Sequence, residues 1–139
     1  MTELPTKNGT QYCEVGHQVF RDLINSRFKV PGDLVSTASN IYHFVRDEIK
    51  YEDYSNTRKG VFRTLQERYG NCCDQAHLLV ALLRTAEIPT YYAHGKDHWR
   101  AVPCIENNII VIRLIEIINL EVQIIIMVVI IIDSLCIIL

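Results

Sequence analysis

The chain has 139 residues, a formal net charge of −2 and a pI of about 6.2. That length holds one domain with a real core, and the balanced charge gives no reason to expect a polyanionic partner such as nucleic acid. Hydrophobic residues make up 49% and charged residues 22%, which excludes a disordered chain.

The opening stretch, MTELPTKNGTQYCEVG, has neither the basic region nor the apolar run of a secretory signal. The expectation is a cytoplasmic protein, or a piece of a longer chain that reaches a cell wall. Asn8-Gly9-Thr10 has the form of a glycosylation acceptor, a triplet short enough to arise by chance. Residues 1–14 read as an extension, 15–104 as the domain and 105–139 as a separate isoleucine-rich tail.

Glu14–Phe28 carries Val15, Val19, Phe20, Leu23 and Ile24 at helical spacing, until Val30-Pro31-Gly32 breaks it. Asp33–Ile49 carries Leu34, Ala38, Ile41, Tyr42, Val45 and Ile49 on one stripe and predicts a second amphipathic helix. Tyr51–Lys59 is polar and aromatic, a loop. Gly60–Tyr69 predicts a short helix with Val61, Leu65 and Phe62 inward and Gly70 as its C-cap. A long helix follows from Cys72 to Ala86, with Ala76, Leu79, Val80 and Leu83 as its stripe and Ile88-Pro89 as its stop. Thr90–Ala93 has the residues of a first strand. Helices first and strands after them predict an α+β domain.

Five cysteines, an odd number without regular spacing, argue against a disulfide framework and for free thiols in a reducing setting. The informative segment is Gly70-Asn71-Cys72-Cys73-Asp74-Gln75-Ala76-His77-Leu78. Glycine permits a sharp entry into the helix, which sets Cys72 at the helix N-terminus. Backbone N–H groups and the helix dipole there stabilise a thiolate and an oxyanion. A cysteine so placed can attack an acyl carbon; it can equally be a small buried hydrophobe. Asp74 reads as a dipole-favourable residue or a partner in the N-terminal cap. Pooling Cys72, Cys73, His77, His94, His98 and Cys104 would make a zinc site, but adjacent cysteines chelate badly, so neither metal nor cofactor is expected.

The run from Gly70 to Pro89, with Gly-x-Cys, an acidic residue two on, a leucine-rich helix, Arg84 and the Ile88-Pro89 turn, resembles the nucleophile helix of the transglutaminase-like superfamily. Ile41–Tyr51 resembles the family's preceding helix. Tyr51, Tyr54, Asn56, Thr57 and Gly60 resemble the loop of its methanogen branch, which includes pseudomurein endoisopeptidases acting on archaeal cell-wall peptides. The resemblance covers residues 15–95. It implies a papain-like core of N-terminal helices followed by an antiparallel sheet, and a Cys-His-Asp triad with Cys72 as nucleophile. Glu87 stands where the family usually has glycine. The family's His-x-Trp motif finds its nearest counterpart in His98-Trp99, without the intervening residue, and implies His98 as general base. Tyr54 and Trp99 are implied as substrate contacts; His77 and His94 carry no catalytic claim. The implied activity is a thiol hydrolase acting on amide or isopeptide bonds. A non-catalytic peptide- or wall-binding domain and acyl transfer to an amine remain as alternatives.

The triad aspartate has no counterpart. After Asp97 the only aspartate is Asp133, and no Asp-x-Thr-like turn surrounds it. Composition also changes there: fifteen of the last 35 residues are isoleucine, against four in the first 104. The tail reads as buried strands, as a membrane helix whose longest uncharged run (Val122–Ile132) is too short to span, or as a frameshifted end of an AT-rich gene; the last is the favoured cause, with strand as the local conformation.

Overall fold

The computed structural model describes residues 7–9, 13–55, 59–95, 98–105 and 108–109. The expectations for Asp133, Cys136 and the tail beyond residue 109 lie outside the described residues.

The first helix, α1 (Gln18–Leu23), starts later than its apolar pattern predicts. Gly16 turns the chain at φ +77°, and His17 stays extended while its Nδ1 accepts from the Val19 N–H at 3.2 Å. The helix then widens into a π turn, Ile24–Phe28. Phe20, Ile24 and Phe28 face the core at spacings of four, and this phase leaves Val19, expected inward, 44% exposed.

The second helix, α2 (Leu34–Glu48), is capped by Asp33, whose carboxylate accepts from the Ser36 N–H at 2.9 Å. Ala38, Ile41, Tyr42, Val45 and Ile49 are buried as the stripe predicts. Leu34 is not: it lies in the first turn, at the rim of an open pocket, and is 40% exposed. At the start of the expected loop, β1 (Lys50–Tyr51) pairs in parallel with β2 (Tyr69–Gly70), and residues 52–55 beyond it form neither helix nor strand. Two-residue strands have no period for sequence patterning to detect.

Between those strands, α3 (Val61–Glu67) buries Val61, Thr64 and Leu65, while Phe62, expected inward, is exposed. Arg68 ends the helix in the left-handed region at φ 63°, its N–H donating to the Thr64 carbonyl at 3.0 Å. The expected cap, Gly70, serves instead in β2, where its missing side chain matters. A Cβ there would lie 2.9 Å from the Asp74 Cβ and 3.1 Å from the Thr64 Cγ2. Gly70 is thus the gap through which β2 approaches the start of the next helix.

That helix, α4 (Cys72–Thr85), is the centre of the molecule. Sequence predicts one apolar stripe, but residues 74–76 and 78–84 are all buried, because α1, α2, α3 and the strands β3 and β4 all pack on it. Full burial of side chains such as Leu78, Leu79, Leu82 and Leu83 stabilises by roughly 1.5–3 kcal/mol each. Arg84 is buried with them, donating from Nε and Nη2 to the Thr90 carbonyl at 3.1 and 2.9 Å and from Nη1 to the Asn8 carbonyl at 2.9 Å.

After α4, Glu87 reverses the chain at φ 65°. The sheet follows as β3 (Thr90–Gly95), β4 (His98–Ile105) and β5 (Asn108–Ile109), neighbours in that order and antiparallel throughout. The architecture is the expected α+β core, with helices followed by an antiparallel sheet, plus the short parallel pair β1–β2.

Candidate active site

Cys72 is the first residue of α4, and three side chains build the turn that presents it. Asn71 is the N-cap: its Oδ1 accepts from the Asp74 N–H at 2.9 Å, and its Nδ2 donates to the Tyr54 carbonyl at 2.9 Å. The Tyr54 hydroxyl accepts from the Asn71 N–H at 3.1 Å and donates to the Asp74 carboxylate. Gln75 donates from Nε2 to the Ile49 carbonyl at 3.0 Å, tying the first turn of α4 to the end of α2. The first i→i−4 bond of the helix is Gln75 N–H to Asn71 carbonyl at 2.9 Å, so the N–H groups of Cys72 and Cys73 precede the helical ladder. Cys72 and Cys73 are both half-buried, and neither is in a disulfide.

The electrostatics of this turn are mixed. The helix N-terminus favours negative charge, and the carboxyl group of Asp74 lies fully buried in the first turn. Its Oδ1 finds no partner among the described residues. Burial, and then donation to that carboxylate, push the Tyr54 hydroxyl well above the usual tyrosine range. Beside it, Glu52, Tyr54, Lys59, Arg63 and Tyr69 line a cleft of about 280 Å³. Lys59 and Arg63 both pair with Glu67, at 2.8 and 2.6 Å, and hold its carboxyl down to about 2.

His98 is the first residue of β4 and pairs with Gly95. The sheet runs back along α4. Thr90 is bonded to Arg84, and two residues on, the Tyr92 hydroxyl meets His77 Nδ1 at 2.7 Å. From that level, three more strand residues rise about 10 Å and five helical residues about 7.5 Å. The Gly95–His98 end of the hairpin therefore lies toward the Cys72 end of the helix. The side chains of His94, His98 and Trp99 lie outside the described residues, as do Asn56 and Thr57 of the loop.

His77 is engaged elsewhere. Its ring meets Tyr92, its carbonyl accepts from the Cys13 thiol at 3.7 Å, and burial lowers its pKa against the opposing pull of Asp74. Cys13 is buried, and Cys104 is half-buried with its N–H donating to the Pro89 carbonyl at 2.7 Å. Among the described residues no group of three His, Cys, Asp or Glu side chains is gathered to hold a metal ion, and no helix is long and apolar enough to cross a membrane.

Sequence reasoning singled out Cys72 and Tyr54 but passed over Asn71 and gave Gln75 no role. Asparagine one residue before a predicted helix is a readable N-cap signal. The reach of Gln75 to a carbonyl 26 residues away is not readable from spacing.

No curated protein matches the chain significantly. Among solved structures, a protein from Cytophaga hutchinsonii, provisionally named a cysteine protease, is similar with a TM-score of 0.62 and 26% identity. The likeness covers 76% of this chain but 39% of that one, so this chain spans well under half of its structural relative. The family model for the transglutaminase-like superfamily matches residues 24–108, from the π turn to the first residue of β5. With α4, Cys72 at its capped start and the β3–β4 hairpin all inside that match, the chain belongs to the transglutaminase-like superfamily.

Proposed function

We propose that this domain is a thiol hydrolase that cleaves amide or isopeptide bonds through an acyl-enzyme on Cys72. The observation that carries the reading is the capped N-terminus of α4, which presents a half-buried cysteine ahead of the helical ladder. The name of the Cytophaga hutchinsonii relative agrees in reaction class.

In this reading the Cys72 thiolate attacks the carbonyl carbon and forms a C–S bond. The oxyanion is met by N–H groups at the start of α4. His98, as imidazolium, gives its proton to the leaving nitrogen, the C–N bond breaks and a thioester remains. Neutral His98 then takes a proton from water, the hydroxide attacks the thioester, and the acid leaves as the thiol is restored. The ring of Tyr54, in the cleft beside the helix start, and Trp99, next to His98, are the proposed substrate contacts. The proposed substrates are cell-wall peptides carrying isopeptide links, with wall association as part of a longer chain.

The test is hydrolysis of synthetic peptides containing α-amide or ε-isopeptide bonds, with and without an added primary amine. Release of free acid that disappears in Cys72→Ala and in His98→Ala supports the reading. Amine adducts in place of acid would make the domain a transamidase. Tight peptide binding without turnover, unchanged in Cys72→Ala, would make it a binding domain.

A further inference from the structure

The buried carboxylate of Asp74 is a problem for a nucleophile two residues earlier on the same helix turn. Two helical residues are about 200° apart, which turns Asp74 inward and leaves Cys72 toward the surface, but a negative charge this close opposes a thiolate. Asp74 is fully buried, one of its oxygens has no partner among the described residues, and the other is held by the Tyr54 hydroxyl. The same hydroxyl accepts from the Asn71 N–H at 3.1 Å, and the Tyr54 carbonyl accepts from Asn71 Nδ2 at 2.9 Å. One tyrosine therefore fixes the residue before Cys72 at two points and the carboxylate after it at a third.

We propose that Tyr54 is a positioning residue for Cys72: its hydroxyl holds the Asp74 carboxylate and draws part of its charge into a hydrogen bond, while anchoring the backbone from which the thiol projects. The inference rests on Cys72 being the nucleophile and adds a regulator of its ionisation. The arrangement works as a capping box with a relay. In an ordinary box the acidic side chain of the third helical residue reaches back to the N-cap N–H itself. Aspartate is one methylene too short, and the tyrosine hydroxyl spans the gap. Gly70 is part of the same device, because any Cβ there would push on the Asp74 side chain. Among the described residues, the other titratable groups around the cluster are Lys59, whose ammonium lies 5.8 Å from the centre of the Tyr54 ring and pairs with Glu67, then Glu52 and Arg63 in the same cleft, Tyr69 on β2, and Cys73 and His77 on α4.

The test is the pH profile of Cys72 alkylation by iodoacetamide in the full chain, read by peptide mass spectrometry with fragments that separate Cys72 from Cys73. In Tyr54→Phe the carboxylate loses its donor, so the Cys72 midpoint is expected to rise by about half a pH unit or more, roughly threefold less thiolate below the midpoint. Adding Asp74→Asn to that variant is expected to bring the midpoint back to the wild-type value or below. Asp74→Asn alone keeps an acceptor for Tyr54 and is expected to lower the midpoint, which keeps the proposal testable if Tyr54→Phe fails to fold. A midpoint unmoved in Tyr54→Phe, or a shift that Asp74→Asn does not reverse, overturns the proposal, as does an unchanged midpoint in Asp74→Asn alone. These shifts are differences between variants and are read whether or not peptide substrate turns over. Failure of the hydrolase reading appears separately, as absent Cys72-dependent hydrolysis by the wild type.

Discussion

Asn71 does two jobs with one side chain, capping α4 through Oδ1 and holding the Tyr54 loop through Nδ2. Asn71→Ala is expected to lower unfolding stability by about 1–2 kcal/mol, the upper part of the usual N-cap range because both bonds go together. Chemical denaturation followed by circular dichroism measures it, and a loss below about 0.5 kcal/mol would show that the cap contributes little. Glu87 presents the opposite case. It occupies the left-handed region at φ 65°, where a side chain costs on the order of 1 kcal/mol and glycine costs little. Its exposed pair with Lys7 at 2.8 Å contributes less than that. Glu87→Gly is therefore expected to raise the melting temperature by a few degrees. A lower melting temperature would show that the ion pair outweighs the backbone strain. The family's preference for glycine at this position thus has a physical cause in the structure.

At the scale of elements, α4 shows what sequence pattern resolves and what it misses. Its ends were legible: Gly70 before Cys72, and Ile88-Pro89 after Ala86, punctuate the chain in ways that follow from local backbone chemistry. The stripe of α2 was equally legible, because a helix packed on one side keeps a 3.6-residue period. The burial of α4 on nearly every side was not, since a periodic pattern assumes one solvent face. Val19 and Phe62 were misassigned inward because apolar type alone does not fix helix phase; both sit on the surface, lining a shallow groove between α1 and α3. The β1–β2 pair and the Tyr54–Asn71–Asp74 cluster are contacts across 17 residues or more, which no local signal encodes. Arg84 is the tertiary contact of most consequence for an element, because its guanidinium ties α4 to β3 and to Asn8. Arg84→Met keeps the volume but leaves the buried Thr90 carbonyl without its donor, and is expected to cost about 2–4 kcal/mol by denaturation. A loss under about 1 kcal/mol would mean that the carbonyl finds another partner.

Across the whole molecule, pH acts through groups whose ionisation differs between the folded and unfolded chain. Burial disfavours charged His77 in the folded state, so its folded pKa lies below the unfolded value near 6.5. In the window beneath that value the unfolded chain binds the extra proton, and stability falls as pH drops from 7 toward 5. His77→Gln is expected to flatten this part of the stability profile; an unchanged slope would assign it to other groups. Glu67, held at about 2 by Lys59 and Arg63, stabilises above its unfolded value and loses that contribution between about 4.5 and 2, a separate and more acidic phase.

The central proposal is that Cys72, at the capped start of α4, is a nucleophile. The measurement that tests this most directly is the rate at which iodoacetamide alkylates each cysteine of the native chain near neutral pH, resolved by peptide. The account predicts that Cys72 reacts at least about tenfold faster than an unstructured thiol, ahead of Cys13, Cys73 and Cys104, and that Cys72→Ala removes the fast phase. Slow and equal labelling of all the cysteines would contradict it.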